Sequence, residues 1–220
     1  MTLSVGILLF PAVQQLDLTA PYEVFATLPG TEVHLVWKTV APLRASTGLW
    51  LCPSVDFAQC PPLDILLVPG GAGVNSLLRD QEVLDFLRTR AAQARYVASV
   101  CTGALLLGAV GLLRGRRAAT HWNARDFLPA FGAIPVAERV VRDGSLFSAG
   151  GVTAGIDLAL TMVAELAGQQ AAQILQLSLE YAPAPPFDAG LPERAPPEVL
   201  ALARARLAAS RAAREKLLPL

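Results

Sequence analysis

Residues 95–108 read Arg-Tyr-Val-Ala-Ser-Val-Cys-Thr-Gly-Ala-Leu-Leu-Leu-Gly. Tyr96–Val100 is apolar, largely β-branched or aromatic and uncharged, as a strand buried on both faces must be. From Thr102 to Val110 the chain turns Leu/Ala-rich, with Gly103 at its head, which predicts a helix. Cys101 stands at the turn between the two. A thiol there is held above the end of a sheet, and the N-terminus of the following helix is expected to lower its pKa. The competing reading is a small buried hydrophobe, the usual state of a free cysteine.

Outward from this turn, apolar runs alternate with helical patterns. Leu3–Phe10, Glu32–Val40, Asp64–Pro69, Tyr96–Val100 and Leu146–Ser148 read as strands. Shorter strands are expected at Leu43–Ser46, Ala118–Thr120 and Arg139–Val141, with a hairpin-like excursion through Gly48–Val55. Helices are expected at Asp17–Leu28, with Pro21 near its start, and at Gln81–Ala94, Asn123–Ala130, Gly155–Ala167, Gln169–Glu180 and Glu198–Lys216. This order with uncharged strands predicts an α/β domain whose mostly parallel sheet is covered on both faces. The domain is expected over residues 1–182. Residues 183–220 form a proline-rich wrap and a last helix packed on the same domain or on a partner subunit. Loops at Pro69–Gly73, Cys101–Gly103 and Gly150–Gly155 follow strands and should crowd the carboxyl edge, where ligands bind in open α/β sheets.

Composition narrows the partners. The 220 residues carry 18 basic and 18 acidic side chains, so no electrostatic case for nucleic acid exists. The hydrophobic content of 53% raises the question of a membrane span. The one charge-free candidate, Tyr96–Leu113, changes from strand-like to helix-like halfway and holds Ser99, Cys101, Thr102 and Gly103, so no membrane is expected. The apolar N-terminus lacks the basic residues of a signal peptide. Three cysteines, Cys52, Cys60 and Cys101, have no metal-type spacing, which predicts a reducing cytoplasm, no disulfides and no metal.

Candidate groups around Cys101 follow from the predicted edge. Pro69-Gly-Gly-Ala-Gly73 lacks the Lys-Ser/Thr of a phosphate loop, so Gly71 and Ala72 are candidates to bring backbone close to a small substrate. Gly71 and Thr102 N–H groups are possible oxyanion donors, with a plain tight turn as the alternative. Gly151 and Thr153 come from the third loop. His34 lies within a strand pattern and reads as structural. His121 opens a helix, where capping explains it as well as chemistry does. Asp17 and Glu23 follow the first strand and reach the same edge. Each has a plain reading too, Asp17 as a helix cap and Glu23 as a solvated residue. A buried carboxyl beside the thiol would have a raised pKa and serve as a general acid.

These residues also carry a resemblance. Leu-Leu-Phe-Pro at 8–11, Gln-Gln-Leu-Asp-Leu-Thr at 14–19, Pro-Gly-Gly at 69–71, Ser-Val-Cys-Thr-Gly at 99–103, Thr-His-Trp at 120–122 and Leu-Glu-Tyr-Ala-Pro-Ala-Pro-Pro-Phe at 179–187 together resemble the ThiJ/PfpI superfamily, and within it the isonitrile-hydrating branch. The resemblance implies a three-layer flavodoxin-like sandwich with a cysteine elbow. It implies Cys101 as nucleophile, Asp17 as acid/base, Thr102 as a positioning group, a homodimer and no cofactor. The implied reaction converts an isonitrile and water to an N-substituted formamide through a cysteine thioimidate. Glu23, where the branch carries Asp, competes with Asp17 for the acid role. Thr102, where peptidase- and glyoxalase-type branches often carry His or Ala, argues against peptidase activity. A glyoxalase or deglycase, or a non-enzymatic redox sensor or ligand-binding module, remain the alternatives.

Overall fold

The computed structural model describes residues 2–218. Met1, Pro219 and Leu220, the outermost residues of the expected spans, lie outside the described residues. Strands β1 (Leu3–Leu8), β2 (Thr31–Trp37), β5 (Val55–Asp56), β6 (Ile65–Val68), β7 (Tyr96–Val100), β10 (Val140–Asp143) and β11 (Leu146–Ala149) make one seven-stranded sheet, ordered β10-β11-β7-β6-β1-β2-β5. Every pairing is parallel except β10 with β11, a hairpin closed by Gly144. Two small ribbons lie outside it. β3 (Leu43–Arg44) pairs antiparallel with β4 (Trp50–Leu51), and β8 (Arg117–Ala118) pairs parallel with β9 (Ile134–Pro135).

Helices cover both faces because the central strands are apolar on both sides; every residue of β6, β7 and β11 is buried. α1 (Gln15–Ala26), α5 (Ala154–Ala167) and α6 (Gln169–Ser178) pack as one layer. α2 (Val74–Leu77), α3 (Gln81–Gln93), α4 (Gly103–Ala109), a 3-10 helix (Trp122–Phe131) and α7 (Pro197–Glu215) form the other. The result is an α/β three-layer sandwich with a mostly parallel sheet.

Register places the site. Val5 stands opposite Ile65, Leu66 opposite Val97, and Ala149 opposite Val100. The strands therefore end together, and the segments after β1, β6, β7 and β11 converge at one edge. Two expectations need correction. Pro21 lies in the middle of α1, not in its first turn. It has no N–H to give the Asp17 carbonyl four residues back, so the helix is weakened at the residue that matters most. Residues 122–131 are 3-10 rather than α-helical, with Pro129 inside and the His121 Nδ1 accepting the Asn123 N–H at 3.3 Å.

Candidate functional site

Cys101 takes a positive φ of 55°, a strained conformation for a residue with a side chain. Surrounding bonds hold it there. Its N–H donates to the Ala149 and Gly150 carbonyls at 3.1 and 2.9 Å, and its carbonyl accepts the Thr120 hydroxyl at 2.7 Å. The next residue but one must be glycine, because a Cβ on Gly103 would sit on the Val68 carbonyl oxygen of β6. The elbow is thus fixed to two neighbouring strands.

Asp17, on the first turn of α1, is fully buried. Its Oδ2 accepts the Gly70 N–H at 2.9 Å. Its Oδ1 is sealed from water and has no nitrogen or oxygen partner among the described residues. The Cys101 thiol lies close enough for the two groups to shift each other's proton affinity. Burial dominates the balance: it pushes Asp17 up to about 7, against the opposing pull of the Gly70 N–H and the thiol. Thr102 closes the arrangement. Its Oγ1 accepts the Gly71 N–H at 3.0 Å, and its own N–H and hydroxyl approach the sulfur.

The thiol itself differs from expectation. Burial, and then the nearby Asp17 charge, raise its pKa well above the ordinary value; the Thr102 groups oppose this and lose. A position before a short helix does not outweigh loss of water around the sulfur. The resting site therefore holds a neutral thiol beside a carboxyl that titrates near neutrality.

Cys101 and Thr102 open onto a cavity of about 320 Å³. Gln14, Gly71, Ala72, His121 and Val152 line it, together with residues the sequence reading passed over: Ser46, Asn123, Leu207, Ser210 and Arg214. Ser46 arrives on the turn of the β3–β4 hairpin and donates its hydroxyl to Gln14 Oε1 at 2.9 Å. The last three come from α7, which lies across the mouth. His121 is held neutral, its pKa lowered to about 4 by burial and by the Arg214 charge. Since Nδ1 accepts the Asn123 N–H, the proton resides on Nε2. A larger hollow of about 720 Å³ beside it holds no nucleophile, and its Arg211 is already paired with Asp126 and Glu215.

Other expected contributors stand elsewhere. Glu23 is exposed on α1 and faces a separate hollow with Leu16, Thr19 and Tyr181. Six residues beyond Asp17, it lies on a different face of the helix, so it does not compete for the thiol. Gly151 and Thr153 line a neighbouring hollow together with His121, and the Thr153 hydroxyl accepts from Arg139 at 3.2 Å. The Gly71 N–H is committed to Thr102 and does not serve as a free oxyanion donor here. Among the described residues no group of His, Cys, Asp and Glu could hold a metal ion, and no helix is long and apolar enough to cross a membrane.

Comparison with known proteins agrees with this fold. An isonitrile hydratase of Pseudomonas putida is 61% identical over 210 residues, covering 96% of this chain and 92% of that protein. The crystal structure of a ThiJ/PfpI family protein from Pseudomonas syringae superposes with a TM-score of 0.96 at 40% identity, over 100% of this chain and 92% of the other. The Parkinson disease protein 7 homolog of Danio rerio is 28% identical and covers 76% of this chain and 90% of its own length. The profile of the DJ-1/PfpI family matches residues 3–165, the whole of the sheet and its elbow, and the chain is accordingly a member of the DJ-1/PfpI family.

Proposed function

We propose that the chain is a cofactor-independent isonitrile hydratase, adding water to R–NC to give R–NH–CHO. The observation that carries the reading is the fully buried Asp17 carboxyl, tied to the Gly70 N–H at 2.9 Å where Gly70 crosses Thr102 of the Cys101 elbow, with burial pushing its pKa up to about 7. The 61% identity to a protein of that name supports the choice of substrate class. The competent site holds one proton between thiol and carboxyl. Asp17 as the acid protonates the isonitrile carbon while the Cys101 thiolate adds to it, leaving a thioimidate and a carboxylate. Asp17 then takes a proton from water as its oxygen adds to the same carbon, and passes that proton to the imine nitrogen. It finally removes the hydroxyl proton as the C–S bond breaks, which releases the formamide and restores the starting pair. Thr102 positions the sulfur, and Gly71 and Ala72 bound the substrate. Gly151 and Thr153 support the site from behind His121.

We further propose a homodimer, for which exposed Ile174 and Leu177 on α6 offer apolar surface, and a cytoplasmic setting, in keeping with three free cysteines. Purified protein mixed with an alkyl isonitrile should yield the formamide by NMR, without added metal or nucleotide; no formamide at any pH overturns the reading. The doubly protonated pair has no thiolate to offer. Hence kcat/KM should fall about tenfold per pH unit below roughly pH 7 and level off above it. Glu23→Gln should leave kcat/KM within about twofold of the parent, because its carboxylate lies on the solvent face of α1.

A further inference from the structure

Residues 183–220 lie outside the segment matched by the family profile. The helix in this extension, α7, nevertheless completes the cavity above Cys101 with Leu207, Ser210 and Arg214. Arg214 is unusual among the arginines of the chain. It is only 4% exposed, its Nε donates to Asn75 Oδ1 at 3.2 Å, and its guanidinium lies 5.6 Å from the Phe127 ring centre. Asn75 is oriented for this by donating its Nδ2 to the Ser210 carbonyl at 2.9 Å. One turn earlier, Arg211 pairs with Asp126 and Glu215, but among the described residues Arg214 has no carboxylate within ion-pair distance. A buried guanidinium without a counter-charge is costly and calls for an anion nearby.

The other groups facing the cavity leave one candidate. Gln14, Ser46, Thr102, Asn123 and Ser210 are uncharged, and His121 is neutral at pH 7. Asp126 is already taken by Arg211. The remaining negative charge is the one the thiol–carboxyl pair acquires when it gives up a proton to solvent. The charge of the Cys101 sulfur acts on Arg214 more strongly than that of Asp126 does.

We propose that Arg214, delivered by α7 from outside the family core, is the counter-charge of the Cys101–Asp17 pair and favours its singly protonated, thiolate-supplying form. It is a positioning residue that acts on the reaction through the charge of the pair. The C-terminal extension is then part of the reactive centre. This deepens the hydratase reading, but its test needs no isonitrile.

The test is the pH dependence of Cys101 alkylation by iodoacetamide, followed at that residue by peptide mass spectrometry. In Arg214→Gln the midpoint should rise by about one pH unit, while Arg214→Lys, which keeps the charge, should stay close to the parent. Arg214→Met reads the same shift should the Gln variant fold poorly, and thermal melts verify folding in each. With an alkyl isonitrile, kcat/KM of the Gln variant should fall about tenfold at pH 7 and recover at higher pH. An unmoved midpoint in folded Gln or Met variants, or an equal shift in the Lys variant, overturns the proposal. A normal midpoint shift without formamide at any pH would instead sink the hydratase reading alone.

Discussion

Cys101→Ala should abolish isonitrile hydration, and Asp17→Asn should lower kcat/KM by roughly a thousandfold while making the folded protein more stable at pH 8. The two effects of the second substitution come from one cause. Burial raises the Asp17 pKa from 3.8 to about 7, so the folded chain holds a proton that the unfolded chain releases. The stabilising contribution of that proton is complete below the unfolded value and is lost as the pH climbs to the folded one. Above about pH 7 the folded state carries a sealed carboxylate, a penalty of roughly 4 kcal/mol against a fully hydrated one. Asparagine keeps the acceptor for the Gly70 N–H and carries no charge, so its advantage should grow from about pH 4 and plateau above about 7. It cannot shuttle a proton, and turnover collapses. Chemical denaturation at pH 5 and pH 8, beside formamide assays, reads both. An Asp17→Asn variant that is active, or destabilised equally at both pH values, would remove the carboxyl from the mechanism.

The elements that meet at this site were unequally legible in the sequence. The elbow was readable because a β-branched run, a single Cys and a Gly-led Leu/Ala run have no equally simple alternative arrangement. Asp17 was readable as a candidate because the first strand of a parallel sheet delivers its following helix to the same edge as the elbow. What failed was direction and distance in the tertiary structure. Glu23 shares a helix with Asp17, but its position on the cylinder sends it to solvent. The thiol pKa is not legible in the local sequence, because helix position is a local signal, whereas burial depends on everything packed above it. Arg214 sits in an Ala/Arg-rich pattern resembling any solvated helix face. Only the docking of α7 against the 3-10 helix and Asn75 reveals that this one arginine turns inward. Ser46 was hidden in the same way, in a hairpin whose tip reaches the pocket only after folding.

Gly103→Ala should lower the melting temperature by roughly 10 °C or prevent folding, a far larger effect than the usual cost of one added methyl group. A Cβ at this position meets the Val68 carbonyl oxygen head-on and lies 2.8 Å from that of Pro69. Neither is a flexible side chain. Val68 ends β6, which is paired with β1 on one side and β7 on the other, so it cannot retreat without opening the centre of the sheet. Gly70→Ala provides the contrast. Its Cβ would lie 2.6 Å from Thr102 Oγ1 and 2.9 Å from Asp17 Oδ2, besides crowding the Thr102 nitrogen. The nearest of the three, the Thr102 nitrogen at 2.5 Å, is backbone and must shift with the elbow, while the other two belong to the side chains that flank the thiol and are displaced with it. The expected cost is therefore about a hundredfold in kcat/KM with a smaller loss of stability, about 1–3 kcal/mol. The two glycines bracket one crossing of backbone, yet one should report on the fold and the other on the chemistry. If both substitutions depress melting temperature and activity in the same proportion, the pair is not held by side-chain contacts separable from the sheet. If Gly103→Ala melts like the parent, the elbow does not rest on the end of β6.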